Sequence, residues 1–286
     1  ILPTPFWVSY SAMVKLAEGT IVEIPTSIES DFKITPEQLE KAITPKTKLI
    51  MFSSPCNPTG TVYTKDELKA LAEVVARHEN VYIISDEIYE HINFTGQHAS
   101  MAQFDFIYDR VVTVNGLSKA YAMTGWRLGY IGAPLWIAKA CDKIQGQYTS
   151  ATCSITQRAA IAALEGDVET TLTMKAAFLR RRDLVFQMMQ NIKGLKFNNP
   201  QGAFYFFPDV SNYFGKTYNG NTINNADDMA MYLLNEGNLS VVTGSAFGDQ
   251  NCIRFSYATS DDKLVEAMKR LKIALEKLIT QEIPVS

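Results

Sequence analysis

Three residues that could do chemistry stand shortly after apolar runs of the chain. Asn57 lies between Pro55 and Pro58, in a turn that the two prolines stiffen. Asp86 and Lys119 follow the next two apolar runs. Because ligands of open α/β sheets bind beyond the carboxyl ends of the strands, these runs would bring an amide, a carboxylate and an amine to one edge of a sheet.

Each of the three residues also has a purely structural alternative. Asn57 could simply hold its turn, since asparagine beside proline is common in turns. Asp86 could be the N-cap of a helix, and Lys119 could be a solvated surface lysine. Together they favour a shared site, because independent structural roles need not all fall at the ends of strands.

An amine and a carboxylate in one crevice suit a cofactor that has a carbonyl group and a basic ring nitrogen. A desolvated lysine loses its proton more readily and can attack a carbonyl to form a Schiff base. A carboxylate that faces a pyridine nitrogen keeps it protonated, which makes the ring an electron sink. Lys119 and Asp86 therefore indicate a site for pyridoxal 5′-phosphate (PLP), and Arg127 supplies a nearby cation for the phosphate.

The elements that would position these residues alternate between strand and helix. The runs 48–52, 81–84 and 111–114 are rich in β-branched residues and barely alternate, which is typical of strands covered on both faces. Between the first two, 64–78 has the spacing of an amphipathic helix and begins with a Thr-x-x-Glu capping box. We therefore predict an α/β fold whose mostly parallel sheet carries helices on both faces.

The later part of the chain predicts a second, smaller α+β domain. Helical patterns are followed by a Pro-Gln-Gly break and an aromatic strand. We expect a large domain over 1–192 and a small C-terminal domain over 193–286. The expected elements are helices at 155–165, 168–192, 226–235 and 260–279, strands at 203–207, 239–242 and 252–257, and an exposed loop at 211–225.

Composition excludes several classes of protein. The chain has 286 residues, 47% of them hydrophobic, which rules out a disordered tail. A formal net charge of −3 gives no basic footprint, so we expect no nucleic-acid partner. The 4 cysteines lack a C-x-x-C pair and only 3 histidines accompany them, which predicts no metal site and a cytoplasmic location. Residues 1–10 do not resemble a signal peptide, and no apolar run reaches the roughly 20 residues that span a bilayer, so we expect no membrane partner.

Four segments resemble the signatures of the class I/II, fold-type I, PLP-dependent aminotransferases, in that family's order and spacing. They are Ser-Pro-Cys-Asn-Pro-Thr-Gly at 54–60, Ser-Asp-Glu-Ile-Tyr at 85–89, Gly-Leu-Ser-Lys-Ala-Tyr-Ala-Met-Thr-Gly-Trp-Arg-Leu-Gly at 116–129 and Ile-Arg-Phe-Ser-Tyr-Ala at 253–258. The third is long and specific. The likeness covers the whole chain and is greatest to the bacterial aspartate aminotransferase branch.

The resemblance implies five residues that contact the cofactor ring and phosphate. Asp86 would pair with the pyridinium nitrogen, and Tyr89 and Asn57 would hydrogen-bond the phenolic oxygen. Arg127 would grip the phosphate as a bidentate fork. Trp7 would stack on the ring, with an ordinary place in the core as its structural alternative.

The resemblance also implies the residues that act on the substrate. Lys119, itself a cofactor ligand, would be the catalytic residue, because it would carry the Schiff base and then shuttle the α-proton. Arg254 would clamp the substrate α-carboxylate and fix which Cα bond breaks, with Asn57 beside it. The implied reaction moves an amino group between an amino acid, aspartate first, and a 2-oxo acid, 2-oxoglutarate first.

Two alternatives and two further expectations accompany this interpretation. The same fold could act on aromatic, alanine or kynurenine-type substrates, or the chain could be an inactive truncated fragment that keeps the fold. Members of the family carry a further N-terminal region, with a phosphate-binding turn and a tyrosine that reaches the neighbouring subunit, ahead of the segment that begins here. The resemblance also implies a homodimer whose active site lies at the subunit interface.

Overall fold

The computed structural model describes residues 1–280 and contains a central, mostly parallel sheet. Strands β3, β4 and β5 pair in parallel as the apolar runs predict, and β6 pairs antiparallel with β5 at one edge. The strands of this part are β1 (Leu2–Thr4), β2 (Glu23–Pro25), β3 (Leu49–Ser53), β4 (Tyr82–Asp86), β5 (Val111–Gly116) and β6 (Gly129–Gly132). Strand β6 was not predicted, because it is only four residues long and two of them are glycine.

The short strands β1 and β2 form a separate two-stranded sheet that lies beside β3. They pair in parallel with each other. The backbone of Ile1 then bonds to the chain of β3, since its amino group donates to the Leu49 carbonyl at 2.7 Å and its carbonyl accepts from the Met51 N–H at 3.1 Å. The residues just after β1 are thereby held beside the carboxyl ends of the central strands.

Helices connect and cover these strands. They are α1 (Ser9–Leu16), α2 (Pro36–Ala42), α3 (Lys65–Ala76), α4 (Leu135–Tyr148), α5 (Ser154–Glu165) and α6 (Glu169–Met189). The predicted capping box of α3 is confirmed, with Thr64 Oγ1 accepting from the Glu67 N–H at 3.2 Å. Its apolar stripe, which includes Leu68 and Leu71, packs in one core with Ile50 of β3. By contrast, no side chain of α4 is buried and all four residues of β6 are exposed.

A second group of elements follows in the C-terminal third. It contains β7 (Tyr205–Phe206), β8 (Thr217–Tyr218), β9 (Asn221–Thr222), α7 (Ala226–Gly237), β10 (Val242–Thr243), β11 (Ile253–Ser256) and α8 (Asp261–Thr280). Strands β10, β11 and β7 form an antiparallel sheet in that order. The predicted loop at 211–225 was wrong in part, because it contains the β8–β9 hairpin.

The core of this group reaches back across residue 193. Phe178, Val185 and Met189 of α6 share a buried cluster with Leu271 and Leu275 of α8. The division into domains at 192 and 193 therefore stays a prediction. Within residues 1–280, no helix is both long enough and apolar enough to cross a membrane.

Candidate active site

A cavity of about 450 Å³ lies beyond the carboxyl ends of β3, β4 and β5. This is the edge that the sequence predicts for the polar residues, and the volume suits a small-molecule ligand. Six of the seven predicted site residues line it: Trp7, Asn57, Asp86, Tyr89, Lys119 and Arg127. The seventh, Arg254, reaches the same group through Asn57, because its Nη1 donates to Asn57 Oδ1 at 2.8 Å.

Asn57 is held by a closed turn, as its flanking prolines suggest. The Cys56 N–H donates to the Thr61 carbonyl, and the Gly60 N–H donates to the Cys56 carbonyl, both at 2.9 Å. Gly60 has a φ of +69°, and a Cβ at this position would stand 2.5 Å from Pro200 Cβ. Glycine is therefore required there for both backbone conformation and space.

Asp86 ends β4 as a half-buried carboxylate with two hydrogen bonds. Its Oδ2 accepts from the Tyr10 hydroxyl at 2.6 Å, and its Oδ1 accepts from the Ile88 N–H at 3.2 Å. The chain then enters a turn and no helix begins there, so the N-cap alternative was wrong. Burial raises the pKa of Asp86, while these hydrogen bonds act in the opposite direction.

Lys119 is half-buried and faces aromatic rings. Its Nζ lies 5.9 Å from the ring centroids of both Tyr89 and Phe204. Burial lowers the pKa of Lys119, the positive charges of Arg254 and Arg127 lower it further, and Asp86 opposes the shift. A larger fraction of this amine is therefore neutral, and hence nucleophilic, than of a solvated lysine.

Arg254 lies on β11 between two aromatic rings. Its Cζ is 4.5 Å from the Tyr205 ring centroid and 4.8 Å from that of Phe247. Its Nε is buried and has no hydrogen-bond partner among residues 1–280. A buried guanidinium with an unused donor is suited to bind a carboxylate.

The remaining predicted residues surround the cavity in different ways. Tyr89 is buried, and its hydroxyl lies 2.9 Å from the hydroxyl of Tyr205. Burial raises the pKa of Tyr89. Arg127 is exposed, has a left-handed φ of 54°, and donates from Nη1 to the Thr124 carbonyl at 2.6 Å. Trp7 is half-buried and packs edge-on against Tyr10, with 5.6 Å between the ring centroids.

Two residues of this site were missed at the sequence level, Tyr10 and Tyr205. Tyr10 stands three residues after Trp7, and the Tyr10 N–H donates to the Trp7 carbonyl, so the local spacing could have placed both in one group. Tyr205 belongs to the predicted aromatic strand, where nothing local distinguishes it from its phenylalanine neighbours. Their partners Asp86 and Tyr89 are 76 and 116 residues away in sequence.

The residues of this cavity fit PLP. Asp86 forms no ion pair among residues 1–280, so its half-buried carboxylate could take a protonated ring nitrogen as its cation. Trp7 offers an aromatic face, Arg127 a cation for a phosphate and Lys119 an amine for a carbonyl.

A group of possible metal ligands lies in the segment that follows β4. Atoms of Glu87, Glu90 and His98 all lie within 4.8 Å of one another. Glu87 is already engaged, because Oε2 pairs with His98 Nε2 at 2.8 Å and Oε1 accepts from the hydroxyls of Ser85 and Ser100 at 2.9 and 2.7 Å. Hydrogen bonding accounts for this group without an ion.

Comparison with protein families gives a match over nearly the whole chain. The family model described as aminotransferase class I and II matches residues 1–271. An aspartate/prephenate aminotransferase from Cereibacter sphaeroides is 50% identical over 282 residues, which are 95% of this chain and 69% of that protein. A bifunctional aspartate aminotransferase and glutamate/aspartate-prephenate aminotransferase from Petunia hybrida is 47% identical over 280 residues, or 96% of this chain, which spans only 58% of that relative.

Solved structures give the same match. The crystal structure of an aspartate aminotransferase from Rhizobium meliloti superposes with a TM-score of 0.93 at 42% identity, covering 97% of this chain and 70% of that one. An aromatic aminotransferase from Pyrococcus horikoshii superposes with a TM-score of 0.90 at 39% identity, covering 96% and 72%.

Proposed function

Because the chain belongs to the class I and II aminotransferase family, we propose that it transfers an amino group from aspartate to 2-oxoglutarate. The cofactor of this family is PLP. The observation that carries the proposal is the meeting of the Lys119 amine and the Asp86 carboxylate in one cavity beyond the strand ends. The names of the Cereibacter and Petunia relatives support aspartate as the amino donor.

When bound, PLP supplies an electron sink that stabilises negative charge at the substrate α-carbon. We propose that Asp86 holds the ring nitrogen protonated and that Arg127 holds the phosphate. Asn57 and Tyr89 would donate hydrogen bonds to the phenolic oxygen of the cofactor, and Trp7 would cover one face of its ring. The supporting observation is that all five side chains line the same cavity.

We propose that Lys119 transfers the proton and that Arg254 orients the substrate. Lys119 Nζ, neutral for a larger fraction of the time because its pKa is lowered, takes the α-proton as a general base and then returns a proton as a general acid. The Arg254 guanidinium would pair with the α-carboxylate, and Asn57, whose Oδ1 accepts a hydrogen bond from Arg254 Nη1, would contact both the substrate and the cofactor. Fixing the carboxylate selects which bond at Cα is broken.

Absorbance of the PLP-loaded protein before and after aspartate tests this function. We expect a visible band that shifts to the amine form of the cofactor on adding aspartate, and that borohydride fixes on Lys119. Lys119→Ala should abolish both the fixation and transamination, and Lys46→Ala, an exposed lysine in a turn, is the matched control. Full activity in Lys119→Ala would refute the mechanism.

Transamination of prephenate is a second candidate function. The names of the Cereibacter and Petunia relatives both include prephenate. Assaying glutamate or aspartate as donor with prephenate, 2-oxoglutarate and an aromatic 2-oxo acid as competing acceptors separates the candidates. A kcat/KM for prephenate at least equal to that for 2-oxoglutarate would favour it.

We propose three further properties of the protein: its oligomeric state, its division into domains and its location in the cell. The protein is a homodimer, supported by exposed apolar side chains such as Trp136, Ile144 and Tyr148 on α4, and light scattering would measure its mass. The domains divide near residue 193, supported by the separate β10-β11-β7 sheet, and limited proteolysis tests this. The location is cytoplasmic, supported by four unpaired cysteines, and cell fractionation tests it.

A further inference from the structure

Tyr205 contacts both the proposed substrate side and the proposed cofactor side of the site, although it lies outside the four signature segments. It begins β7 and is only 6% exposed. Arg254 Cζ lies over the Tyr205 ring, 4.5 Å from the centroid, and the Tyr205 hydroxyl oxygen lies 2.9 Å from that of Tyr89. The buried Tyr205 side chain thus contacts both Arg254, on the proposed substrate side, and Tyr89, on the proposed cofactor side.

The ring of Tyr205 limits where the Arg254 guanidinium can lie. Phe247 closes the opposite side at 4.8 Å, and Asn57 Oδ1 takes the Nη1 hydrogen at 2.8 Å. Rings on both sides restrict the movement of a guanidinium, and the unpaired, buried Nε then keeps one direction for a further hydrogen bond. The two rings therefore hold the arginine ready for a carboxylate.

The hydroxyl of Tyr205 determines how Tyr89 uses its single proton. Either tyrosine of the pair can be the donor by geometry. The positive guanidinium over the Tyr205 ring withdraws electron density and makes Tyr205 the better donor. If Tyr205 donates, the proton of Tyr89 is free for an acceptor in the cavity that Tyr89 lines.

We propose that Tyr205 is a positioning residue with two separable contributions: its ring orients Arg254 for the substrate carboxylate, and its hydroxyl directs the proton of Tyr89 toward the phenolic oxygen of the cofactor. The proposal rests on the proposed function. Both contributions come from the Tyr205 side chain, its ring and its hydroxyl, so they can be removed one at a time.

Two variants separate the contributions. Tyr205→Phe keeps the ring and removes the hydroxyl, and Tyr205→Leu removes both, with Tyr205→Met as the replacement if the leucine variant does not fold. Tyr232→Phe is the matched control, because Tyr232 is also buried and its hydroxyl donates to the Ala274 carbonyl at 2.7 Å, away from the site. For each PLP-loaded protein, the visible spectrum is titrated with pH, and the Kd of succinate, a dicarboxylate without an amino group, is measured.

Each result supports or overturns one contribution. Tyr205→Phe should raise the pKa of the bound chromophore by about 0.5 to 1 unit, because a weaker Tyr89 donor stabilises the phenolate less, and should leave succinate Kd within about twofold. Tyr205→Leu should raise succinate Kd about tenfold or more. The control should change neither.

A chromophore pKa that is unchanged or lower in Tyr205→Phe would overturn the hydroxyl contribution, since a lower value means that Tyr205 accepts from Tyr89. Wild-type succinate affinity in the leucine or methionine variant would overturn the ring contribution. Failure of the wild-type protein to form the visible band would instead refute the proposed function, and this inference would fall with it.

Discussion

Tyr10→Phe tests whether the carboxylate of Asp86 is tuned by its neighbour. The change removes one oxygen and leaves the edge-on contact of the Tyr10 ring with Trp7 in place. It deletes the hydrogen bond that Tyr10 donates to Asp86 Oδ2 at 2.6 Å, which is a short distance typical of a charge-assisted bond. Burial already raises the pKa of Asp86, and this bond is the largest influence that opposes the shift.

The magnitude follows from the kind of bond that is lost. A hydrogen bond to a charged group contributes about 1.5–3 kcal/mol, and about 1.4 kcal/mol corresponds to a factor of ten. The variant should therefore bind a proton at Asp86 more tightly by about tenfold or more. Because a protonated carboxyl does not pair with a pyridinium, PLP affinity in the variant should fall by about that factor at acidic pH. It should approach the wild-type value at alkaline pH, where both carboxyls are ionised.

The assay is the Kd of PLP measured by absorbance from about pH 5 to 9 for both proteins. The pH at which affinity is lost on acidification should be higher in the variant, and this displacement identifies an electrostatic effect. A ratio of the two Kd values that is the same at every pH would refute the reasoning, because it would mean that Tyr10 only shapes the cavity. Tyr232→Phe, with its remote buried hydroxyl, is the control.

Three further changes are expected to have distinct outcomes. Asp86→Asn should weaken PLP binding but raise the Tm of the protein without cofactor at pH 7. Because the pKa of Asp86 is raised in the folded state, the ionised carboxylate becomes destabilising as the pH rises through that pKa. A lower Tm by calorimetry would contradict the burial argument. Arg254→Lys should raise the KM for aspartate about tenfold or more and leave the Kd of PLP unchanged. The reason is that a point charge replaces the planar guanidinium that lies over the Tyr205 ring. Equal KM values in variant and wild type would contradict the role of Arg254 in binding the substrate. Gly60→Ala should lower the free energy of unfolding, measured with denaturant, by about 1–3 kcal/mol, because the φ of residue 60 is +69° and the new Cβ would stand 2.5 Å from Pro200 Cβ. Wild-type stability would show that the turn can relax to accommodate the methyl group.

The parts of the fold that local pattern determines could be predicted from the sequence. The strands β3, β4 and β5 are continuous apolar runs, and α3 carries its own capping box in Thr64 and Glu67. The short β6, by contrast, has two glycines and no buried residue, so it is specified by pairing with β5 rather than by its own pattern. The β8–β9 hairpin was likewise hidden in a polar segment that composition assigns to a loop.

The candidate site divides in the same way. Asp86, Asn57 and Lys119 could be found because each stands at or shortly after the end of a strand, where the sheet topology alone brings them together. Tyr10 and Tyr205 could not be assigned, because their roles depend on partners that only the folded chain brings within hydrogen-bond distance. The residues that we propose to contact a ligand are thus visible in the sequence, whereas those that orient them are specified by tertiary packing.

The electrostatics of the site favour one kind of ligand. Burial raises the pKa of Asp86 and lowers those of Lys119 and Arg254, so each charged form is disfavoured by its surroundings. Such groups destabilise the free protein unless they gain partners of opposite charge. A ligand that carries a protonated ring nitrogen offsets the cost at Asp86, and a carboxylate offsets the cost at Arg254. Pyridoxal without its phosphate should therefore still raise Tm by its contact with Asp86, whereas inorganic phosphate, which has no protonated ring nitrogen to pair with Asp86, should raise it far less.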